Sequence, residues 1–116
     1  MSGAAPLRWL YHVALREAWE AQRAPGPYAP PMPDGFIHAS YRDAVLESAR
    51  LYFPAGSARV VLRVDPRRLT ARVEVAETPR GGMPHVYGAI PREAIAEVYD
   101  LAEFERAIGG APDLFR

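Results

Sequence analysis

Arg59-Val60-Val61-Leu62-Arg63-Val64 is the stretch on which the fold turns, because it holds the most continuous apolar run in the chain. A short run rich in branched residues reads as a strand buried on both faces, in the middle of a sheet. C-terminal to it, Asp65-Pro66 turns the chain. Residues 71–76 then alternate, with Val73 and Val75 expected inward and Arg72 and Glu74 outward. Residues 78–84 read as a Gly/Pro loop, and His85-Val86-Tyr87-Gly88 as another short strand. Pro91 fits the first position of a helical turn at 92–94. Residues 97–101 read as a last strand and 103–108 as a last short helix.

On the N-terminal side, Trp9-Leu10-Tyr11-His12-Val13 reads as a strand. Its alternation puts Trp9, Tyr11 and Val13 on one face and Leu10 and His12 on the other. Residues 15–23 read as a helix, with Leu15, Ala18, Trp19 and Gln22 at helical spacing. Residues 24–35 hold five prolines and two glycines and can form only a loop, long enough to suggest a functional one. Phe36-Ile37-His38-Ala39 follows as a short strand. Ser40 reads as the N-cap of a helix at 41–53, with Asp43 supporting its first turn and Pro54 and Gly56 ending it.

Short strands separated by helices and mixed loops imply a compact α+β fold. Mixed or antiparallel strands would surround a cleft, with two to four helices. The 116 residues fit a single domain, 1–116, with its core at about 9–108 and loosely held termini at 1–7 and 109–116.

Hydrophobic residues make up 49% of the chain and charged residues 24%, which argues against intrinsic disorder. Lys+Arg and Asp+Glu are both 14, so the basic excess of a general nucleic-acid binder is missing. Arg63, Arg67, Arg68, Arg72 and Arg80 leave room for a local basic cleft. There is no cysteine, which excludes disulfides, thiol nucleophiles and cysteine-bound metals. Residues 1–7 lack the apolar run of a secretory leader, and no stretch approaches the roughly 20 apolar residues of a membrane span. A cytoplasmic protein without membrane contact is the expectation. Composition does not fix an oligomeric state.

The three histidines, His12, His38 and His85, each fall in or beside a short strand. Imidazole suits acid–base work and anion contact near neutral pH, so the three are candidate catalytic residues of one shared cleft. No pair has metal-ligand spacing and no His-Glu-x-x-His occurs, so no metal is expected. Ser40, two residues after His38, is either a helix cap or a nucleophile needing a histidine base. No Gly-x-Ser-x-Gly elbow is present, which ranks a Ser/His hydrolase low. Among the aromatics, Tyr28 in the Pro-rich loop is either a loop anchor or a cover for a ligand, and Trp19 reads mainly as core. Tyr11, Tyr28, Ser40 and Tyr87 are the candidate substrate-binding residues. Arg67-Arg68 reads as a solvated turn or, failing that, a phosphate contact.

Leu10-Tyr11-His12, Trp19-Glu20, Gly35-Phe36-Ile37-His38-Ala39-Ser40, Val64-Asp65-Pro66, Pro84-His85-Val86-Tyr87-Gly88 and Ile90-Pro91 together resemble the bacterial family called domain of unknown function 952. The resemblance covers about residues 9–101. The same landmarks distantly resemble the ADP-ribosyltransferase fold, in particular its tRNA 2′-phosphotransferase branch. That likeness implies a pocket for NAD as substrate. His12 would contact a ribose or phosphate, and His38 and Ser40 would line the middle. The chain departs from the branch at Val13-Ala14, where a glycine and threonine stand, and at Asp34-Gly35-Phe36, where an arginine stands. Glu74 and Glu93 are the candidates for a ribose-holding glutamate.

Three functions compete. The first is an ADP-ribosyltransferase-like enzyme or degenerate relative, binding NAD or another phosphorylated nucleotide in a histidine-lined cleft. Its oxocarbenium-like transition state would be stabilised by fixed dipoles. The second is a non-catalytic module that senses a metabolite or docks a protein, which the departures favour. The third is the Ser/His hydrolase.

Overall fold

The computed structural model describes residues 7–22 and 25–115. The alternating segment Leu10–Leu15 forms β1 and runs directly into helix α1, Arg16–Ala21. After the Pro-rich loop comes β2, Ile37–His38. A 3-10 turn at Arg42–Ala44 leads into α2, Val45–Tyr52, which stops where Phe53 turns extended before Pro54. Then follow β3, Arg59–Val64, β4, Val73–Thr78, and β5, Gly81–Val86. The chain ends with β6, Ile95–Asp100, and α3, Leu101–Ala107. It is an α+β structure of two three-stranded sheets, ordered β1-β3-β6 and β2-β5-β4, and every pairing is antiparallel.

β3 is central in the first sheet, and this explains its composition. Val60, Leu62 and Val64 enter a core shared with the second sheet, through Ile37 and Val86, and with Ile90 beyond it. Val61 points the other way, among Tyr11, Val13, Val45, Ala49 and Phe104 under α2 and α3. A strand covered on both faces carries apolar residues on both, as Val60, Val61 and Leu62 do here. β1 divides in the same manner, with Leu10 and Ala14 on the first side and Tyr11 and Val13 on the second. By this alternation His12 lies on the side facing the second sheet.

One backbone bridge fastens the two sheets together. Tyr11 and Ser40 exchange both backbone bonds, Tyr11 N–H to Ser40 O at 2.8 Å and Ser40 N–H to Tyr11 O at 2.7 Å. The end of β2 is thereby fastened alongside β1, and the side chains between the sheets line a cleft.

Several expectations are corrected. Ser40 is not a helix cap: Tyr41 occupies the N-cap of the 3-10 turn, and Ala44 that of α2. Residues 81–84, expected as loop, belong to β5, in a hairpin where Thr78 pairs with Gly81. Glycines and Pro84 disguised that strand, since neither favours sheet structure. Pro84 is tolerated because β2 pairs with β5 only at Val86 and His85, leaving the Pro84 carbonyl to accept from Ala39 N–H at 3.0 Å. Val75, expected inward, is 49% exposed, because β4 is an edge strand. α3 starts at Leu101 rather than 103, because the Asp100 backbone N–H donates to Glu103 Oε1 at 2.8 Å in a capping box.

The C-terminal segment, expected to be loose, is docked. Ala111 is buried, Trp9 N–H donates to Asp113 O at 2.9 Å, and Phe115 stacks on Trp9 with centroids 4.4 Å apart. Leu7, expected in a loose N-terminus, accepts a backbone bond from Phe115 N–H at 3.3 Å. The remainder of the termini expected to be loose, 1–6 and 116, and the helix end and loop start at 23–24 lie outside the described residues.

Candidate functional site

Between the second sheet, the Pro-rich loop, β1 and α2 lies a cleft of about 800 Å³. His12, His38, His85, Tyr28 and Ser40 all contribute to its wall. The volume falls within the range of small-molecule pockets, about 300–1,000 Å³.

At the inner end His12 is held at both ring nitrogens. Nδ1 lies 2.6 Å from the carbonyl oxygen of His38, and Nε2 lies 2.9 Å from the Tyr28 hydroxyl. A carbonyl only accepts, so Nδ1 carries the proton, and Nε2 of the neutral ring accepts from Tyr28. Burial pushes the His12 pKa down to about 4; the bond to His38 opposes this, and the nearby His38 side chain adds to it. Burial likewise raises the Tyr28 pKa to about 12, so its hydroxyl stays a donor. Tyr28 is buried and exchanges backbone bonds with Ile90, at 2.8 and 2.9 Å. It therefore anchors the loop. Arg92 helps, its Nε–H donating to Gly26 O at 2.8 Å while its guanidinium lies over Trp19.

At the outer side β2 and β5 place His38 and His85 directly opposite each other. Their rings meet edge-on with centroids 5.5 Å apart. Phe36 stacks on His85 at 3.8 Å and 14°. His38 Nε2 lies 2.9 Å from Asp34 Oδ2, in an exposed pair. Burial lowers the His85 pKa and the His38 ring adds to it; the Glu74 and Asp34 carboxylates pull the other way.

Along the α2 wall runs a polar chain. Ser40 Oγ is 2.8 Å from Ser48 Oγ, and Arg80 Nη1 donates to Ser48 Oγ at 3.2 Å. Ser40 is buried, and no hydrogen bond joins it to a histidine among the described residues. Its backbone N–H is spent on Tyr11. Neither a histidine-activated nucleophile nor an anion-binding helix cap forms at Ser40.

Two candidate residues lie outside the cleft wall. Tyr11 is fully buried on the opposite face of β1, where its hydroxyl donates to Pro112 O and its ring packs on Phe104. This is the other side of the alternation that sends His12 inward. Tyr87 lies beyond the end of β5, bonded through its N–H to Arg72 O at 2.9 Å and covered by the Arg72 guanidinium. The arginines expected to form a basic cleft mostly pair elsewhere. Arg63 bridges to Glu97 at 3.1 Å, Arg72 to Glu74 at 3.1 Å, and Arg67 and Arg68 to Asp65 at 3.0 and 3.6 Å. Glu74 and Glu93 are not part of the cleft wall.

Asp34, Phe36, Ser48 and Tyr52 are wall residues that the sequence reading did not select, and Arg80 entered it only as one of five arginines of a local basic cleft. Only Asp34, four residues before His38, carried a local signal. The others arrive through β pairing and helix packing across the cleft. Among the described residues, no three His, Cys, Asp or Glu side chains gather into a metal site. No helix among them is long and apolar enough to cross a membrane.

The solved structure of protein CC0527 from Caulobacter crescentus is similar, with a TM-score of 0.70 and 25% identity over 79% of this chain and 84% of that one. A double-mutant structure of the same Caulobacter protein is similar to the same extent, with a TM-score of 0.70 and 24% identity over the same shares of both chains. No curated protein matches. Residues 13–98, which hold β2 to β5 and every cleft residue discussed except His12, match the family described as "Protein of unknown function (DUF952)", and the chain belongs to that family.

Proposed function

We propose that this protein binds a small nucleotide-like ligand, a flat ring joined to an anionic group, in the cleft between its two sheets. The observation that carries this reading is the gathering of His12, His38 and His85 with Phe36 and Tyr52 on one wall system of about 800 Å³. Stacked rings at the outer side offer a face for a base or nicotinamide. The His38 and His85 imidazoles and Arg80 supply donors for anionic oxygens. A non-catalytic ligand-sensing role fits the inner end better than proton transfer does, because both His12 nitrogens are already engaged.

A second reading, turnover of NAD by an ADP-ribosyltransferase-like enzyme, is favoured by the Asp34–His38 pair, an exposed imidazole oriented by a carboxylate on the same wall. Calorimetric titration with AMP, ADP-ribose and NAD tests the first reading. Saturable binding that weakens in Phe36→Ala supports it, and no heat with any of the three at millimolar concentration overturns it. Nicotinamide release from NAD, abolished in His38→Ala with the fold intact, would establish the second reading.

A further inference from the structure

Arg80 is the one arginine or lysine on the cleft wall among the described residues. Its position is built by the hairpin. The two-residue loop Pro79-Arg80 is closed by Thr78, whose Oγ1 accepts from Arg80 N–H at 3.1 Å and donates to Gly81 O at 2.7 Å. Gly81 supplies the positive φ, +95°, with which the chain re-enters β5. From this turn the Arg80 side chain reaches across to α2. Nη1 donates to Glu47 Oε1 at 3.1 Å and to Ser48 Oγ at 3.2 Å, and Nη2 donates to Tyr52 Oη at 3.3 Å. The side chain is only 17% exposed.

A guanidinium has five N–H donors. Glu47 and Ser48 take both on Nη1, and Tyr52 takes one on Nη2 in the longest of the three bonds. Nε–H and the second Nη2 hydrogen have no partner among the described residues. Nε and Nη2 form the side edge of the guanidinium fork, which receives two oxygens of one anion. Glu47 and Ser48 hold Nη1 and Tyr52 takes one hydrogen of Nη2, so Nε–H and the remaining Nη2 hydrogen are fixed in orientation before a ligand arrives, and fixing a donor in advance lowers the entropy cost of binding.

We infer that Arg80 is the anion anchor of the cleft, taking the phosphate or carboxylate of a ring-bearing ligand on its Nε/Nη2 edge, with Glu47 as the residue that orients it. This rests on the cleft being the ligand site. The ligand class is thereby narrowed to molecules with a phosphate or carboxylate joined to a flat ring. Glu47 works in two directions: it orients the guanidinium, and its negative charge opposes an incoming anion.

The test is NMR titration of the full chain, watching the Arg80 Nε–H resonance. The probes are AMP and nicotinate, with adenosine and nicotinamide as their neutral counterparts. At least one anionic probe is expected to shift that resonance and to bind about tenfold more tightly than its counterpart. Which anion does so separates phosphate from carboxylate. Arg80→Gln should reduce the anion's affinity to that of the neutral probe. Arg80→Lys, which keeps the charge and loses the fork, should restore only part of it. Glu47→Gln should tighten anion binding several-fold, an effect that a purely structural clip would not produce. If anionic and neutral probes bind equally in every variant and the Nε–H resonance stays still, the anchor is wrong and the ring-binding cleft stands. If no probe binds at all, both are overturned.

Discussion

The Tyr28 hydroxyl donates to Nε2 of His12 at 2.9 Å, joining the Pro-rich loop to the first strand through a neutral imidazole. Removing the hydroxyl leaves a buried nitrogen without its donor. Tyr28→Phe is therefore expected to destabilise the fold by about 1–2 kcal/mol, measured by urea unfolding at pH 7. His12→Ala should cost at least as much, since it also frees the His38 carbonyl from its partner.

The same ring makes stability depend on pH. The His12 pKa falls from 6.5 to about 4 on folding, and the His85 pKa is lowered as well. Between pH 4 and 6.5 the unfolded chain binds more protons than the folded one at these positions, so stability rises with pH across that window. Acidification from pH 7 to about 4 should remove on the order of 3 kcal/mol through His12. Unfolding curves at several pH values check this, and His12→Asn should flatten the slope in that window.

Below that window Asp65 takes over. It is buried, caps the 3-10 turn at Pro66–Arg68 by accepting from Arg67 N–H at 2.9 Å, and pairs with Arg67 and Arg68. The Arg67 hydrogen bond in particular holds its carboxyl below the usual 3.8. Its stabilisation is complete above pH 3.8 and lost as pH falls through the lower folded value. Asp65→Ala should cost about 1–2 kcal/mol at neutral pH, read from the denaturation midpoint.

The C-terminal strap should matter more than its length suggests. Deleting 109–116 removes buried Ala111, the acceptor of the Tyr11 hydroxyl and the carbonyl to which Arg42 donates at 3.0 Å. A loss of about 3 kcal/mol, on the order of 12 °C in Tm, is expected by calorimetry. Tyr11→Phe should reproduce about 1 kcal/mol of it.

Periodicity made the first sheet legible. β3 and β1 follow directly from an uninterrupted apolar run and from two alternating faces. The second sheet was only half legible, because β5 carries Gly81, Gly82 and Pro84, and its strand character comes from pairing with β4 rather than from its own preferences. The candidate site divides similarly. The three histidines share a wall because each sits in a strand with a readable face. Ser40 was misread because a short polar residue before a helix has the local pattern of a cap, whereas the partner it finds, Ser48, lies a helical turn into α2. Arg80 could not be singled out from five arginines, since what distinguishes it is Glu47, 33 residues away in sequence.

The docked tail has one further effect. Leu7 O accepts from Phe115 N–H, and Arg8 and Leu114 form a β-bridge. The chain therefore enters and leaves the folded unit at one spot, with its backbone nearly closed into a ring. Joining those ends and reopening the polypeptide in an exposed turn, such as the one at Gly56, would leave every strand pairing intact. Circular permutants of this kind should fold to the same topology.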